Sequence, residues 1–236
     1  MSDLGVWNFY LQTGSTAMDF HFAYGSPSAR KVRIYLAEKG VEVTEHVKNR
    51  GFLPVEDVAP LNPNLTTPVM FDGDVTMFDS QIMVTYVLDK YPSVLEADPP
   101  LLPTLVRPHH KWRDANLLAT LQTLSVSLEH IHCLGTLDKL TDETVPFLKR
   151  EHTRVNSILD WLDKQASPEG FAPGSFSLMD IMFIVHIDFS ETRNGLEWRG
   201  RRNLERLYAA FADRPSVVQT RYPWMTPAPD ADSGRA

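Results

Sequence analysis

A proline-dense break constrains this chain more than any other feature. Four prolines fall between Pro92 and Pro103, and the apolar periodicity differs on the two sides. Before the break, short alternating runs are interleaved with helical ones; after it, only the helical period recurs. Such a chain is expected to form a mixed α/β unit and then an all-helical unit. With 236 residues, 43% of them apolar, it has material for two modest cores. The expected boundaries are 18–92 for the α/β domain, 93–103 for the linker and 104–225 for the helical domain. Residues 1–17 read as an N-terminal extension. Residues 226–236, rich in Pro, Asp, Ser and Gly, read as a disordered tail.

Within the first half, Phe20 and Phe22 alternate with polar residues over Asp19–Ala23, as a short strand requires. Ser26 before Pro27 is a helix-start signal: an N-cap oxygen, then a residue whose missing N–H costs nothing at the first helical position. The helix runs through Ala29, Val32, Arg33 and Leu36 to Gly40, with Arg30, Lys31 and Arg33 expected on or beside its exposed face. Val41, Val43 and Val47 space a second strand, and Pro54 and Pro60 break any long helix after it. Val69–Phe71 and Val75–Phe78 flank Asp72-Gly73, a hairpin signal. Ser80–Tyr91 predicts a helix with Ile82, Met83, Tyr86 and Val87 on one side and Asp79 at its positive end. The first strand–helix–strand unit favours a parallel, right-handed crossover and the hairpin an antiparallel pair. That order suits a thioredoxin-like sheet covered by helices.

Beyond the break, Leu117, Leu121, Leu124 and Leu128 line one long helix, and Leu148, Val155, Ile158, Leu159 and Leu162 the next. Ser177 and Asp180 form a capping-box-like start before Ile181, Met182 and Val185. Leu204, Leu207, Tyr208 and Phe211 mark a later helix. This half is expected to be an all-α helical bundle.

Several function classes are excluded. A formal net charge of −7 argues against a basic face for nucleic acid or anionic lipid. The single cysteine, Cys133, rules out an intrachain disulfide, a CxxC redox pair and a multi-cysteine metal site. A reducing, cytoplasmic setting is the simplest expectation. No apolar run reaches membrane-spanning length, and 1–17 lacks the basic and apolar regions of a signal peptide. His109-His110 and His130-x-His132 lack the acidic or cysteine company of a zinc site, so they are expected as polar residues on helix faces, with no metal.

Four motifs in order resemble the glutathione transferase superfamily. Gly25-Ser26-Pro27-Ser28-Ala29-Arg30-Lys31-Val32-Arg33-Ile34 looks like its strand–turn–helix active-site segment. Asn62-Pro63-Asn64-Leu65-Thr66-Thr67-Pro68-Val69 is similar to its NPxxxxPV signature, in which the second proline is cis. Asp79-Ser80, followed by Ile82, Tyr86 and Leu88, matches its acidic-Ser motif, and Phe176–Ile181 resembles its C-terminal capping motif. The likeness spans roughly Met18 to Trp224.

That resemblance implies a bacterial-like, cytosolic, serine-type enzyme that uses glutathione as co-substrate. A free thiol has a pKa near ~8.5, and each unit of depression requires about 1.4 kcal/mol of thiolate stabilisation. A hydroxyl donor and the positive end of a helix supply such stabilisation. Ser26 stands where the donor would be; a plain N-cap is the bland reading, and Ser28 and Tyr24 are rivals for the role. By the same resemblance, Thr67 and Pro68 would present backbone to the cysteinyl unit. Asp79 and Ser80 would hold the γ-glutamyl group. Lys48, Asn49 and Arg50, which precede the irregular segment, are candidates for the glycine carboxylate, with a surface charge run as the other reading; Thr66 stands where the family often has a basic residue, a departure from its pattern. His109, Trp112 and Asn116 would border a small electrophilic second substrate, although a core role for Trp112 is also open. A homodimer is implied. Relatives of this type also run isomerisation, dehalogenation, ether cleavage and disulfide or peroxide reduction, and others keep the fold as non-catalytic binding or regulatory modules.

Overall fold

A computed structural model describes residues 18–47, 55–91, 97–222 and 224–225. The chain forms two compact units that divide between Pro92 and Ser93.

In the first unit, β1 (Met18–Phe22) buries Met18, Phe20 and Phe22 and leaves Asp19 and His21 half-buried, the two-residue period expected of it. α1 (Pro27–Lys39) crosses over to β2 (Val43–Val47), which pairs parallel to β1 with Met18 opposite Val43. The short α2 (Val55–Val58) follows. β3 (Val69–Asp72) pairs antiparallel to β1, and β4 (Val75–Met77) antiparallel to β3, giving the order β2-β1-β3-β4. The hairpin turns at Gly73-Asp74, one residue later than expected, and Gly73 has φ 60°, which a side chain resists. α3 (Ser80–Lys90) packs against α1, and Gly40 ends α1 at φ 61° with its N–H on the Leu36 and Ala37 carbonyls.

Two expectations fail here for one reason: the buried faces are not the stripes that spacing suggested. Arg30 and Lys31 are buried whole, charged heads included, because α1 is buried along most of its length and not on one stripe. Arg33 alone of the three stays partly exposed. It pairs with Glu45 at 3.1 Å and lies over the Phe22 and Tyr24 rings. On α3 the buried face is Met83, Val84 and Val87, so Ile82 points out at 56% exposure. Tyr86 is half-buried and, with Lys90, donates to the Asp72 carboxylate.

The second unit opens with residues assigned above to the linker. Leu101 pairs with Phe176, and main-chain bonds from Leu102 N–H to Phe176 O and from Phe176 N–H to Pro100 O hold this segment down. One 3₁₀ turn (Pro108–His110) leads into α4 (Lys111–His130), which continues as a π-helical stretch over Ile131–Leu137. α5 (Pro146–Gln165), α6 (Leu178–Asn194), α7 (Arg202–Phe211) and the short α8 (Pro215–Val218) follow. α4 packs on α5 and α6, and α5 on α7. The leucines that sequence spacing assigned to α4 are all buried. His132 is not a surface residue: it is buried, its ring nitrogen 2.8 Å from Asn194 Oδ1, because this stretch packs against α6.

α6 is buried at every position from Leu178 to Ser190, the mark of a central rather than a surface helix. Its capping box is complete. Asp180 Oδ2 accepts from Ser177 N–H at 2.8 Å and Oγ at 2.5 Å, Asp180 N–H donates to Ser177 Oγ at 3.4 Å, and Asp180 Oδ1 accepts from Phe171 N–H at 2.8 Å. Burial pushes the Asp180 carboxyl up to about 6, against the pull of those donors. Among the described residues no helix is long and apolar enough to cross a membrane.

Candidate functional site

The elements of the first unit that carry the motif residues are the start of α1, the loop before β3 and the start of α3. After β1 the chain turns at Tyr24-Gly25, with Ser26 N–H bonded to Ala23 O at 3.0 Å. Ser26 then takes extended φ/ψ as the N-cap of α1, and its Oγ accepts the Ala29 N–H at 3.2 Å. The capping role, set against catalysis in the sequence, uses only a lone pair. The hydroxyl hydrogen is left to donate elsewhere. Both functions can therefore sit on one oxygen, at the positive end of a 13-residue helix. Ser28, at the second helical position, is half-buried. Tyr24 is half-buried too, with its ring edge-on to Phe22 at 5.4 Å and 5.3 Å from the Arg33 guanidinium.

The Thr67-Pro68 bond is cis. Thr67 is half-buried and Pro68 buried at the head of β3. Asp79 is the N-cap of α3: its Oδ1 accepts from Gln81 N–H at 2.7 Å and Ile82 N–H at 3.1 Å. No hydrogen bond reaches Oδ2 among the described residues, and Asp79 is exposed, so one carboxylate oxygen caps while the other is not used by the cap. Ser80, the first helical residue, offers an N–H and a hydroxyl at the same positive terminus.

Two buried polar side chains that the sequence reading did not single out lie in these motif segments. Lys31 is 3% exposed, and burial pushes its ammonium from the usual 10.5 down to about 8, with the Asp79 charge opposing that shift. Its position on a presumed outer face hid it. Asn62, 1% exposed, accepts from Asn64 N–H at 2.8 Å and donates to Thr66 O at 2.7 Å and Thr66 Oγ1 at 3.1 Å. It was visible only as a letter of a signature.

Lys48, Asn49 and Arg50 lie outside the described residues. In the second unit, His109, Trp112 and Asn116 are all exposed along one side of the start of α4. Trp112 is 77% exposed, not core, with Lys111 Nζ 5.3 Å from its ring. Among the described residues, no cluster of His, Cys, Asp and Glu is placed to hold a metal.

Residues 20–100 match the family model described as glutathione S-transferase, N-terminal domain. A stringent starvation protein A homolog of Pasteurella multocida is 38% identical over 193 residues, 80% of this chain and 83% of that protein. Glutathione S-transferase Z2 of Arabidopsis thaliana is 38% identical over 97 residues, 40% of each chain. For stringent starvation protein A homologs of three other organisms the match spans only 31–33% of their length. A solved glutathione S-transferase of Methylobacterium radiotolerans, in complex with glutathione sulfonate, superimposes with a TM-score of 0.69 at 25% identity, over 91% of this chain and 99% of that one. The chain belongs to the glutathione S-transferase superfamily.

Proposed function

We propose that this protein binds glutathione and ionises its thiol for attack on an electrophilic, hydrophobic second substrate: a cytoplasmic, homodimeric glutathione S-transferase of the serine type. The observation that carries the reading is the Ser26 geometry. Its oxygen is fixed by Ala29 N–H at 3.2 Å, so the hydroxyl has a set position from which to donate to sulfur. The adjoining helix terminus favours the same negative charge. A hydroxyl bond to an anion contributes roughly 1.5–3 kcal/mol, about one to two pKa units. Sulfur then forms the new bond to carbon with its own electron pair, and the leaving group departs with the pair of the bond that breaks. Ser26 acts as hydrogen-bond donor throughout, not as nucleophile.

In this reading Thr67 and Pro68 present main chain to the cysteinyl unit. Asp79 Oδ2 takes the γ-glutamyl ammonium, and Ser80 takes the α-carboxylate. Lys48 or Arg50 takes the glycine carboxylate. His109, Trp112 and Asn116 border the second substrate. No metal enters the chemistry. The glutathione sulfonate held by the Methylobacterium relative supports this choice of ligand.

The test is calorimetry with glutathione, then turnover with an aromatic halide and with a hydroperoxide. Ser26→Ala should lower transfer at least tenfold while costing about 1 kcal/mol of stability through the lost cap. An unchanged rate would move the donor role to Tyr24 or Ser28. Turnover confined to the hydroperoxide would make the protein a glutathione-dependent reductase of the same fold. The second reading is a non-catalytic binding or regulatory module. One observation favours it: the relative matched over 83% of its length is named for stringent starvation, not for a transfer reaction. Glutathione binding without turnover would establish it.

A further inference from the structure

Asn62 lies in the NPxxxxPV-like segment, of which the proposed chemistry uses only Thr67 and Pro68. Its side chain is fully committed. Oδ1 accepts the Asn64 N–H at 2.8 Å, which folds the loop locally. Nδ2 donates to Thr66 O at 2.7 Å and Thr66 Oγ1 at 3.1 Å, with a longer contact of 3.5 Å to Phe78 O. Thr66 is the residue before Thr67, and Phe78 the residue before Asp79. The loop so gripped carries a non-glycine residue in the left-handed region, Leu65 at φ 56°, with its N–H on Asn62 O at 3.0 Å. Such a conformation persists only where its surroundings hold it. A primary amide is the shortest side chain that presents two N–H groups and one acceptor from a single buried point.

We infer that Asn62 is a positioning residue for glutathione: its amide clamps the Thr66–Thr67 and Phe78–Asp79 segments together and so sets the distance between the cysteinyl and γ-glutamyl subsites. The inference rests on the glutathione reading above. Its consequence is a coupling. A ligand that spans both segments gains from their fixed spacing, whereas a ligand that meets only one gains little.

Asn62→Asp keeps the acceptor for Asn64 N–H but loses both hydrogens and turns a carboxylate oxygen toward the Thr66 and Phe78 carbonyls. Asn62→Ser serves the same test should the aspartate variant not fold, since serine is too short to reach Phe78 O. Affinities are measured by calorimetry for glutathione and γ-glutamylcysteine, which span both segments, and for cysteinylglycine and γ-glutamylglycine, which lack one unit each. KM for glutathione and kcat are measured alongside. The expected result is at least a tenfold loss for the spanning ligands, under threefold for the one-unit ligands, and a raised KM with kcat within twofold. Equal losses for all four ligands, or a glutathione KM within twofold of wild type, would overturn the positioning role and leave glutathione binding intact. A wild-type protein that gives no heat with millimolar glutathione would overturn the glutathione reading itself, and this inference with it.

Discussion

Replacing Lys31 with methionine should make this protein more stable. Lys31 is 3% exposed, and burial brings its ammonium down to about 8 from 10.5. A folded pKa below the unfolded one means that the charged form is disfavoured by folding, so the penalty is largest at low pH and fades as pH rises through 8 toward 10.5. At about 1.4 kcal/mol per unit, the difference is worth roughly 3 kcal/mol at pH 7, roughly 2 at pH 9 and under about 0.5 at pH 10.5. Methionine matches the buried stem in volume and carries no charge. The attraction to Asp79 already opposes the burial shift and is contained in these figures; imperfect packing of the methionine lowers the expected gain to about 1–3 kcal/mol at pH 7. Urea unfolding of both proteins at pH 7, 9 and 10.5 reads this directly. A gain at pH 7 that vanishes by pH 10.5 is expected. A variant that is less stable at pH 7, or a difference flat across the range, would mean that the ammonium reaches water or a partner, and the reasoning fails.

Three further substitutions probe the helical unit. Gly170 has φ 99°, and a Cβ there would stand 2.8 Å from Asp180 Oδ1 and 3.0 Å from the Phe211 ring; Gly174, at φ 80°, faces open space. In guanidinium melts Gly170→Ala should cost about 3 kcal/mol or more, and Gly174→Ala only the backbone term of about 1–2; equal costs would show that the capping carboxylate yields. Asp114 is wholly buried and accepts from Arg107 N–H at 2.9 Å, Nε at 2.8 Å and Nη2 at 2.7 Å. Burial raises its carboxyl, but the Arg107 bonds and charge overcome this and hold it below the usual 3.8. Its contribution is therefore present above 3.8 and lost as pH falls through the lower folded value. Asp114→Asn should cost about 3–5 kcal/mol at pH 7 and remove that part of the acid limb; an unchanged acid limb would refute the assignment.

The residues that were legible in the sequence are those whose role is local. Ser26, Gly40, Ser177 and Asp180 announce helix ends because capping involves atoms within a few residues, and each caps as its spacing implied. The leucine ladder of α4 was equally plain. Burial set by distant packing was not. Ile82 and Met83 are adjacent and both apolar, yet one is exposed and the other buried; only the position of α1 decides between them. Lys31 carries the charge of a surface residue, and nothing nearby in sequence says that its stem is covered. The Asn194 amide, far along the chain, donates to Leu128 O and meets His132 in the π-helical stretch after α4, contacts that local spacing does not announce. At the helix starts, the N-cap positions of Ser26 and Asp79 were readable, but which of their atoms the caps occupy emerged only from the structure.

The absence of a solvent face along Leu178–Ser190 also governs how the second unit comes into being. An oily rod without a wet side has no stable existence alone in water. Its neighbours must gather before it can settle, so order there should arrive in one concerted step rather than helix by helix. A chain that stopped short of α7 would leave that rod open to other molecules instead of its own flanks.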